Sequence, residues 1–397
     1  MDLTLINRAF APFEAMLRAQ ELFRRRIGVK EIDRPTYERY ITGTVEKFDR
    51  RKNSMMLLYP GNPFDPDLEM HGRIKRRTGR DFYSLLAYSE LESVDRIGQS
   101  LTRAAFRTCR EYHPPTLPVT PWEDRVDLND DAVASRLIKK AALFFGAEMV
   151  RITRLDQRWV YRDITIPHEY AIVVVVSHVP SFIGTAPSHY SSAGVAETYS
   201  RLKFITTQLA DFISGLGFDA TYRETLGSNP ELLAVPIAID AGVGEFARTG
   251  HCLSPDFGVN MRIKVVTTDM RLQVDKPISF GVHDFCMVCE NCAKFCPGNA
   301  IPYGPPGEGI VGIYNSPGIA KWNLNAERCL TIWNSDKRKW TSCGGKCLSV
   351  CPWNKAINRR HNLIRWLAVH GPGPLKKLLV RGDRVFYGRS RKIENRG

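Results

Sequence analysis

The chain has 397 residues, 43% of them apolar and 25% charged, a composition ordinary for a soluble globular protein and unlike that of long disordered chains. That length accommodates one large core or two moderate ones, read here as a catalytic domain with a small appendage. The formal charge of +14 is scattered, as at Arg24 to Arg26, Lys75 to Arg77, Lys337 to Lys339 and Lys376 to Lys377. No nucleic-acid motif accompanies it, so a docking face for an acidic electron carrier is expected and nucleic acid is not.

Residues 1–125 mix short helical patterns with Pro/Gly punctuation and form an N-terminal lobe without a clear catalytic motif. The triplet Arg24-Arg25-Arg26 is not followed by the apolar stretch of an export leader. The longest apolar run, Ala171 to Val176, is far below the ~18 residues that span a bilayer. A soluble, cytoplasmic chain without an integral membrane segment is therefore expected.

From Asp130 the pattern sharpens. DDAVASRLIKKAALFFG has an acidic N-cap and Gly146 at its stop, which predicts a helix, and EMVRITRL predicts a strand. YAIVVVVSHV, Tyr170 to Val179, is β-branched and too short for a core helix, so it predicts a strand buried on both faces at the sheet centre. Between Ser192 and Gly217, Val195, Tyr199, Leu202, Leu209, Phe212 and Leu216 recur at helical spacing, with Ser191 or Ser192 as N-cap and Gly217 as C-cap. Tyr199 thus lies on the apolar face of a long amphipathic helix. The apolar turn VPIAIDAGVGE and the strand RIKVVTTD follow, and the domain change is placed near Asp275 to Val282. The fold class expected is α/β (α+β), with a core over 126–278, a cysteine-rich module over 279–360 and a tail over 361–397 packing on the core.

Eight of the ten cysteines fall between Cys286 and Cys351, with the short spacings that metals need rather than those of disulfides. FCMVCENCAKFCPGNAI sets Cys286, Cys289, Cys292 and Cys296 in the run C-x2-C-x2-C-x3-C-P, the bacterial ferredoxin pattern whose fourth cysteine ligates the other cluster. The second group is Cys329, Cys343, Cys347 and Cys351, followed by Pro352. Exchange of the last cysteines predicts one 4Fe-4S cluster on Cys286, Cys289, Cys292 and Cys351, and another on Cys329, Cys343, Cys347 and Cys296. The three-residue gap in CGGKC also leaves a 3Fe-4S or lower-potential variant open at the second site. A structural zinc site is the alternative, but eight cysteines without histidines in this spacing favour iron and sulfide. Cys109 and Cys252 are isolated and read as buried structural thiols. Trp322, Trp340 and Trp353 flank the clusters as packing that excludes water.

A two-cluster ferredoxin needs far fewer residues than this, so a substrate or cofactor domain must precede the module. GVGEFARTG is only a partial match to the dinucleotide fingerprint, and a Rossmann NAD site is not expected. The segments TYSRLKFITTQLADFISGLGFDA, VPIAIDAGVGEFARTGHCLSPDFGVNMRIKVVTTDMRLQVDKP, FCMVCENCAKFCPGNAI and CLSVCPWNK resemble, in that order, the corrinoid-dependent reductive dehalogenases, from about residue 130 to 360. The most specific shared features are the G-x-G-E-x-x-R-x-G turn, the TTD segment and the paired cysteine motifs.

The resemblance implies a nitroreductase-like core that holds a corrinoid, cobalamin or a relative, with a ferredoxin-like module packed on it. It implies cobalt bound base-off without a protein histidine. In agreement, the D-x-H-x-x-G motif is absent, since His71, His283 and His370 lack the flanking Asp and Gly. It assigns the proton donor to Tyr199 in TYSRL and the stabiliser of developing charge to Arg262 in NMRIKVV, with Tyr190 as a second candidate donor. A phenol titrates near pH ~10, and a guanidinium beside it favours its ionisation. Without the resemblance, Tyr199 packs in the core and Arg262 forms a salt bridge. Gly242, Gly244 and Glu245 are expected against the corrinoid, where glycine lets backbone approach a flat macrocycle; their plainer role is an ordinary turn. The implied activity is reductive dehalogenation of a small organohalide, with an external ferredoxin or flavodoxin as donor. Alternatives are an epoxyqueuosine reductase-like enzyme acting on tRNA and a corrinoid-linked electron-transfer protein.

Overall fold

The structure is a computed structural model that describes residues 8–58, 69–79, 95–111, 125–128, 130–225, 230–335 and 345–387. Four strands make the main sheet in the spatial order β1-β2-β4-β3, where β1 is Met149–Arg154, β2 Tyr170–Ser177, β3 Ala220–Arg223 and β4 Met261–Thr268. All neighbours are antiparallel, with Val150 opposite Val174, Val174 opposite Lys264 and Tyr222 opposite Val266. The mixed helix and sheet class expected from the sequence is therefore present in its α+β form.

β2 lies inside the sheet, as its unbroken apolar run requires, and every residue from Tyr170 to Val176 is buried. Alternate side chains serve two different cores. Ile172, Val174 and Val176 join Val150, Ile152 and Val266 on one face; Ala171, Val173 and Val175 join Met149 and Val265 on the other. Each buried aliphatic side chain contributes roughly 1.5–3 kcal/mol by leaving water, so neither face tolerates a polar position.

Helices cover the first face. α1 is Ala11–Arg26, α3 Asp131–Phe144 and α4 His189–Gly215, while α2, Arg96–Glu111, packs on α4. α3 begins where predicted, with the Asp130 carboxylate accepting from the Ala132 N–H at 2.5 Å, and the chain turns at Gly146, whose φ is +107°. α4 is capped three residues before Ser191 and four before Ser192, the two expected caps. Ser188 is the N-cap, accepting from the Ser191 N–H, while the Ser191 hydroxyl accepts from the Ser188 N–H. That reciprocal box satisfies two orphan backbone donors, which makes Ser191 the third helical residue and not the cap.

On the second face VPIAIDAG forms a short helix, α5, Ala234–Asp240, rather than a turn. Ile237, Ala238 and Ile239 are all buried, so no polar stripe marks its period. Arg24 of α1 is not a surface charge. It is buried and donates to the Gly242 carbonyl and the Asp256 carboxylate, both at 2.7 Å. Further on, Lys30 pairs with Ser279 and Glu31 with Ile278 in a two-residue antiparallel ribbon, which ties the N-terminal segment to the entry of the cysteine-rich region.

That region contains α6, Val282–Cys289, and α7, Ala326–Trp333, followed by α8, Arg359–His370, and α9, Gly373–Tyr387. Its core of Phe280, Phe285, Trp322 and Trp353 also takes in Val195 of α4 and Leu253, so the module and the sheet domain share buried surface. Arg384 of α9 donates to the Cys289 carbonyl at 2.7 Å, which docks the tail on α6. Among the described residues no helix is long and apolar enough to cross a membrane. Cys343, Trp340 and Lys337 to Lys339 lie outside the described residues, as does the side chain of Cys109.

Candidate active site and cluster ligands

α6 starts at Gly281, whose φ is +76°, and ends at Glu290, a non-glycine residue at φ +51°. That left-handed residue reverses the chain between Cys289 and Cys292, which lets three thiols face one another from a short segment. Cys286, Cys289, Cys292 and Cys351 together border one small void of about 30 Å³. Among the described residues no three His, Cys, Asp or Glu side chains close on a single-ion site; the four thiols surround the void instead. Burial pushes the Cys286 thiol up to about 11 and Cys289 up to about 12. Cys292 and Cys351 are raised by burial first and then by the neighbouring thiols. Four sulfurs crowded this closely, two of them on buried residues, are stable as thiolates only around a cationic centre, and soft sulfur donors suit iron and sulfide.

The second predicted set is described in part. Cys329 sits on α7, and the loop after Cys296 packs on that helix: a Cβ at Gly298 would lie 2.9 Å from the Arg328 carbonyl. The Cys296 sulfur accepts from the Ala300 N–H at 3.3 Å, and Cys347 lies on the single turn Lys346–Ser349.

The glycine-rich turn lies between the sheet and the thiols. Gly242 has φ +76°, and a Cβ there would meet the Lys276 carbonyl oxygen at 2.1 Å; at Gly244 it would meet the Leu253 carbonyl oxygen at 2.0 Å. These glycines are required by backbone packed on backbone, and neither borders the cavity described next. Glu245 does border it, but its buried carboxylate accepts from the Phe280 N–H at 2.5 Å and the Val282 N–H at 3.4 Å, at the start of α6. Burial raises its pKa. Arg248, the arginine of the G-x-G-E-x-x-R-x-G motif, is 1% exposed. Its guanidinium donates to the Cys286 carbonyl at 2.9 Å and the Pro302 carbonyl at 2.8 Å, and lies 4.8 Å from the Trp322 ring centroid. The motif names this residue, but nothing in the sequence says that it grips the cysteine loop.

A cavity of about 510 Å³ opens beside this turn, within the range of small-molecule sites. Tyr199 of α4 and Arg262 of β4 meet in its wall, where the Arg262 Nε–H donates to the Tyr199 hydroxyl oxygen at 2.8 Å. Its guanidinium lies 5.3 Å from the Tyr199 ring centroid and also donates to the Met261 carbonyl at 3.0 Å. Tyr190 does not border the cavity; its hydroxyl meets Asp95 at 3.3 Å.

His251, which sequence reasoning did not single out, lines the same cavity and keeps a buried Nδ1 without a partner. Burial, and then Arg262, holds its imidazole down to about 4. His178 behind the pair accounts for its own Nδ1. The Thr198 hydroxyl donates to the Gly194 carbonyl at 2.8 Å and so accepts from Nδ1–H at 2.8 Å, leaving Nε2 a buried acceptor without a partner. Of the three histidines weighed as cobalt ligands, His283 borders the cavity, stacked between Tyr40 at 4.8 Å and Trp322 at 5.3 Å. Thr249 lines both this cavity and the four-thiol void, so one residue separates them there. The orphaned nitrogens of His251 and His283, the aromatic walls and a thiol cage behind Thr249 fit a large redox cofactor that also carries polar groups.

Comparison with known proteins agrees. Residues 285–356 match the 4Fe-4S dicluster domain. The tetrachloroethene reductive dehalogenase of Sulfurospirillum multivorans is 30% identical over 305 residues, 67% of this chain and 59% of that protein. Its namesake from Dehalobacter restrictus is 31% identical over 283 residues, 58% of this chain and 50% of that protein. The chain thus spans little more than half the length of these relatives. A solved reductive dehalogenase, reported with a mechanism for B12-dependent dehalogenation, superimposes with a TM-score of 0.69 at 22% identity, over 91% of this chain and 49% of that one. Over its matched part this chain is similar in sequence to the reductive dehalogenases, and it has their fold.

Proposed function

We propose that this chain is a reductive dehalogenase that replaces a carbon-bound halogen by hydrogen, R–X plus two electrons and one proton giving R–H and halide. The observation that carries this is the cavity in which a tyrosine hydroxyl meets an arginine, one residue away from a cage of four cysteines. A corrinoid bound in the cavity would supply the cobalt chemistry that cleaves the carbon–halogen bond, and two 4Fe-4S clusters on the cysteines would supply its electrons.

The chain's own residues do the rest. Cys286, Cys289, Cys292 and Cys351 hold the cluster nearer the cavity; Cys329, Cys343, Cys347 and Cys296 hold the other. Tyr199 accepts from Arg262 and keeps its own hydrogen to donate to carbon. The guanidinium then stabilises the charge left on the phenol oxygen. Gly242 and Gly244 keep the turn compact, while Glu245 fixes the start of α6 so that the thiols and the cavity hold register. An external ferredoxin or flavodoxin delivers electrons, and the surplus positive charge favours acidic carriers of that kind.

Anaerobic reconstitution tests this. About eight irons and one cobalt per chain, with halide released from an organohalide under a low-potential reductant, are expected. Tyr199→Phe should keep both metals and lose most turnover. Protein that takes up iron but no corrinoid, or releases no halide across alkyl, vinyl and aryl substrates, would reject the assignment.

A further inference from the structure

Three cations border the cavity, Arg39, Arg262 and Lys321, and among the described residues none is paired with a carboxylate. Arg262 donates to Tyr199 and the Met261 carbonyl, Arg39 to the Thr36 carbonyl, and Lys321 to the Ser316 carbonyl. The lining holds one carboxylate, Glu245, and that is taken up by backbone N–H groups of Phe280 and Val282. Several shielded cations elsewhere are paired, Arg24 with Asp256 at 2.7 Å, Lys264 with Glu224 at 3.1 Å and Lys139 with Asp275 at 2.6 Å, while buried Lys346 and Arg365 donate to backbone carbonyls.

Of the three, Lys321 and Arg262 are half-buried and Arg39 is exposed. The Lys321 backbone is fixed on both sides, exchanging hydrogen bonds with Gly307 at 3.1 Å, while Ala320 donates to the Tyr40 carbonyl at 2.8 Å. That pairing places Lys321 and Arg39 on adjoining segments of one wall, beside the His283 ring stacked between Tyr40 and Trp322. Burial alone holds the ammonium down to about 8. A charge shielded without a counter-ion is costly, and a ligand that brings the opposite charge offsets that cost.

We infer that Lys321, with Arg39 on the adjoining segment, forms an anion-binding subsite of the cavity, which takes a carboxylate, phenolate or phosphodiester oxygen of the bound small molecule. This rests on the cavity being the ligand site proposed above. The anion has two possible sources, an acidic organohalide or the nucleotide-loop phosphodiester of a complete corrinoid.

Both sources are separable with cluster-reconstituted wild-type protein, Lys321→Gln and Lys321→Arg. Dissociation constants are measured for cobalamin against cobinamide, which lacks the phosphodiester, and for benzoate against benzamide. Wild type should prefer the anionic member of at least one pair by about tenfold or more, Lys321→Gln should erase that preference, and Lys321→Arg should keep most of it. Loss confined to the corrinoid pair assigns the subsite to the cofactor, and loss confined to the benzoate pair assigns it to the substrate. Equal preferences in wild type and Lys321→Gln, or no preference in wild type, overturn the inference. A wild type that binds neither corrinoid yet prefers benzoate through Lys321 would sink the corrinoid assignment and leave the subsite standing.

Discussion

Replacing Arg262 by lysine isolates what the guanidinium does for Tyr199. Lysine keeps the positive charge but lacks the planar Nε–H that meets the phenol oxygen at 2.8 Å, and its flexible stem does not hold a donor at that point. A hydrogen bond to a charged group contributes about 1.5–3 kcal/mol, or ~10- to ~150-fold in rate at ~1.4 kcal/mol per decade. Since the bond exists before the proton moves, only its strengthening as charge develops on oxygen accelerates the step. The lower end, about tenfold in kcat for Arg262→Lys, is therefore expected, with a deeper loss for Arg262→Gln, where the charge also goes. The assay is initial halide release under saturating reductant, resolved into kcat and KM, on protein whose iron and cobalt contents match wild type. An Arg262→Lys enzyme with wild-type kcat across the pH range would remove Arg262 from proton transfer, and a change in KM alone would reassign it to substrate binding.

Cys351→Ser should perturb one cluster and spare the other, with iron falling by roughly one to four atoms and one EPR component of the reduced protein lost or altered; two unaltered components would show that Cys351 is not a ligand. Asp240 is buried and accepts from the Tyr37 hydroxyl at 2.5 Å and the Trp159 indole at 3.0 Å, and burial raises its pKa from 3.8 to about 7. A carboxyl whose folded pKa is raised favours the native state most below the unfolded value and loses that contribution as pH climbs through the folded one. Asp240→Asn, which cannot ionise, should therefore raise Tm by a few degrees near pH ~8, from roughly 1–2 kcal/mol, and by little near pH ~5; a gain independent of pH would place the effect elsewhere.

How much of this the sequence disclosed depends on the range of the interaction involved. β2 was readable because both of its faces are buried, so the apolar run itself encodes its place at the sheet centre. The ferredoxin pattern carried the expectation that Cys351 joins Cys286, Cys289 and Cys292, and those four thiols border one void. α4 was readable in its body but not at its start, where serines at 188, 191 and 192 compete as caps and only the reciprocal Ser188–Ser191 bonds choose between them. α5 hid its helical period because both sides are packed. Arg24 read as scattered charge and Lys321 drew no reading at all, since a basic residue in sequence carries no mark of what will cover it. Each is recognised only when distant segments close over it: Asp256 and the Gly242 carbonyl on Arg24, the Tyr40 and Gly307 segments around Lys321.

The turn from Gly242 to His251 shows why such a site resists piecemeal change. Within ten residues it presents Glu245 to the start of α6, Arg248 to the Cys286 carbonyl, Thr249 to both the cavity and the thiol void, and His251 to the cavity beside Arg262. The carbonyl oxygens at Lys276 and Leu253 leave no room for a Cβ at Gly242 or Gly244, so a side chain there must move the whole segment. Displacement of that segment shifts the cluster's anchor and the cavity wall together. Under the proposed function, electron delivery and proton delivery would be coupled mechanically through one stretch of backbone, so substitutions in it should alter the cluster spectrum and the turnover in parallel, whereas Tyr199→Phe should alter turnover alone.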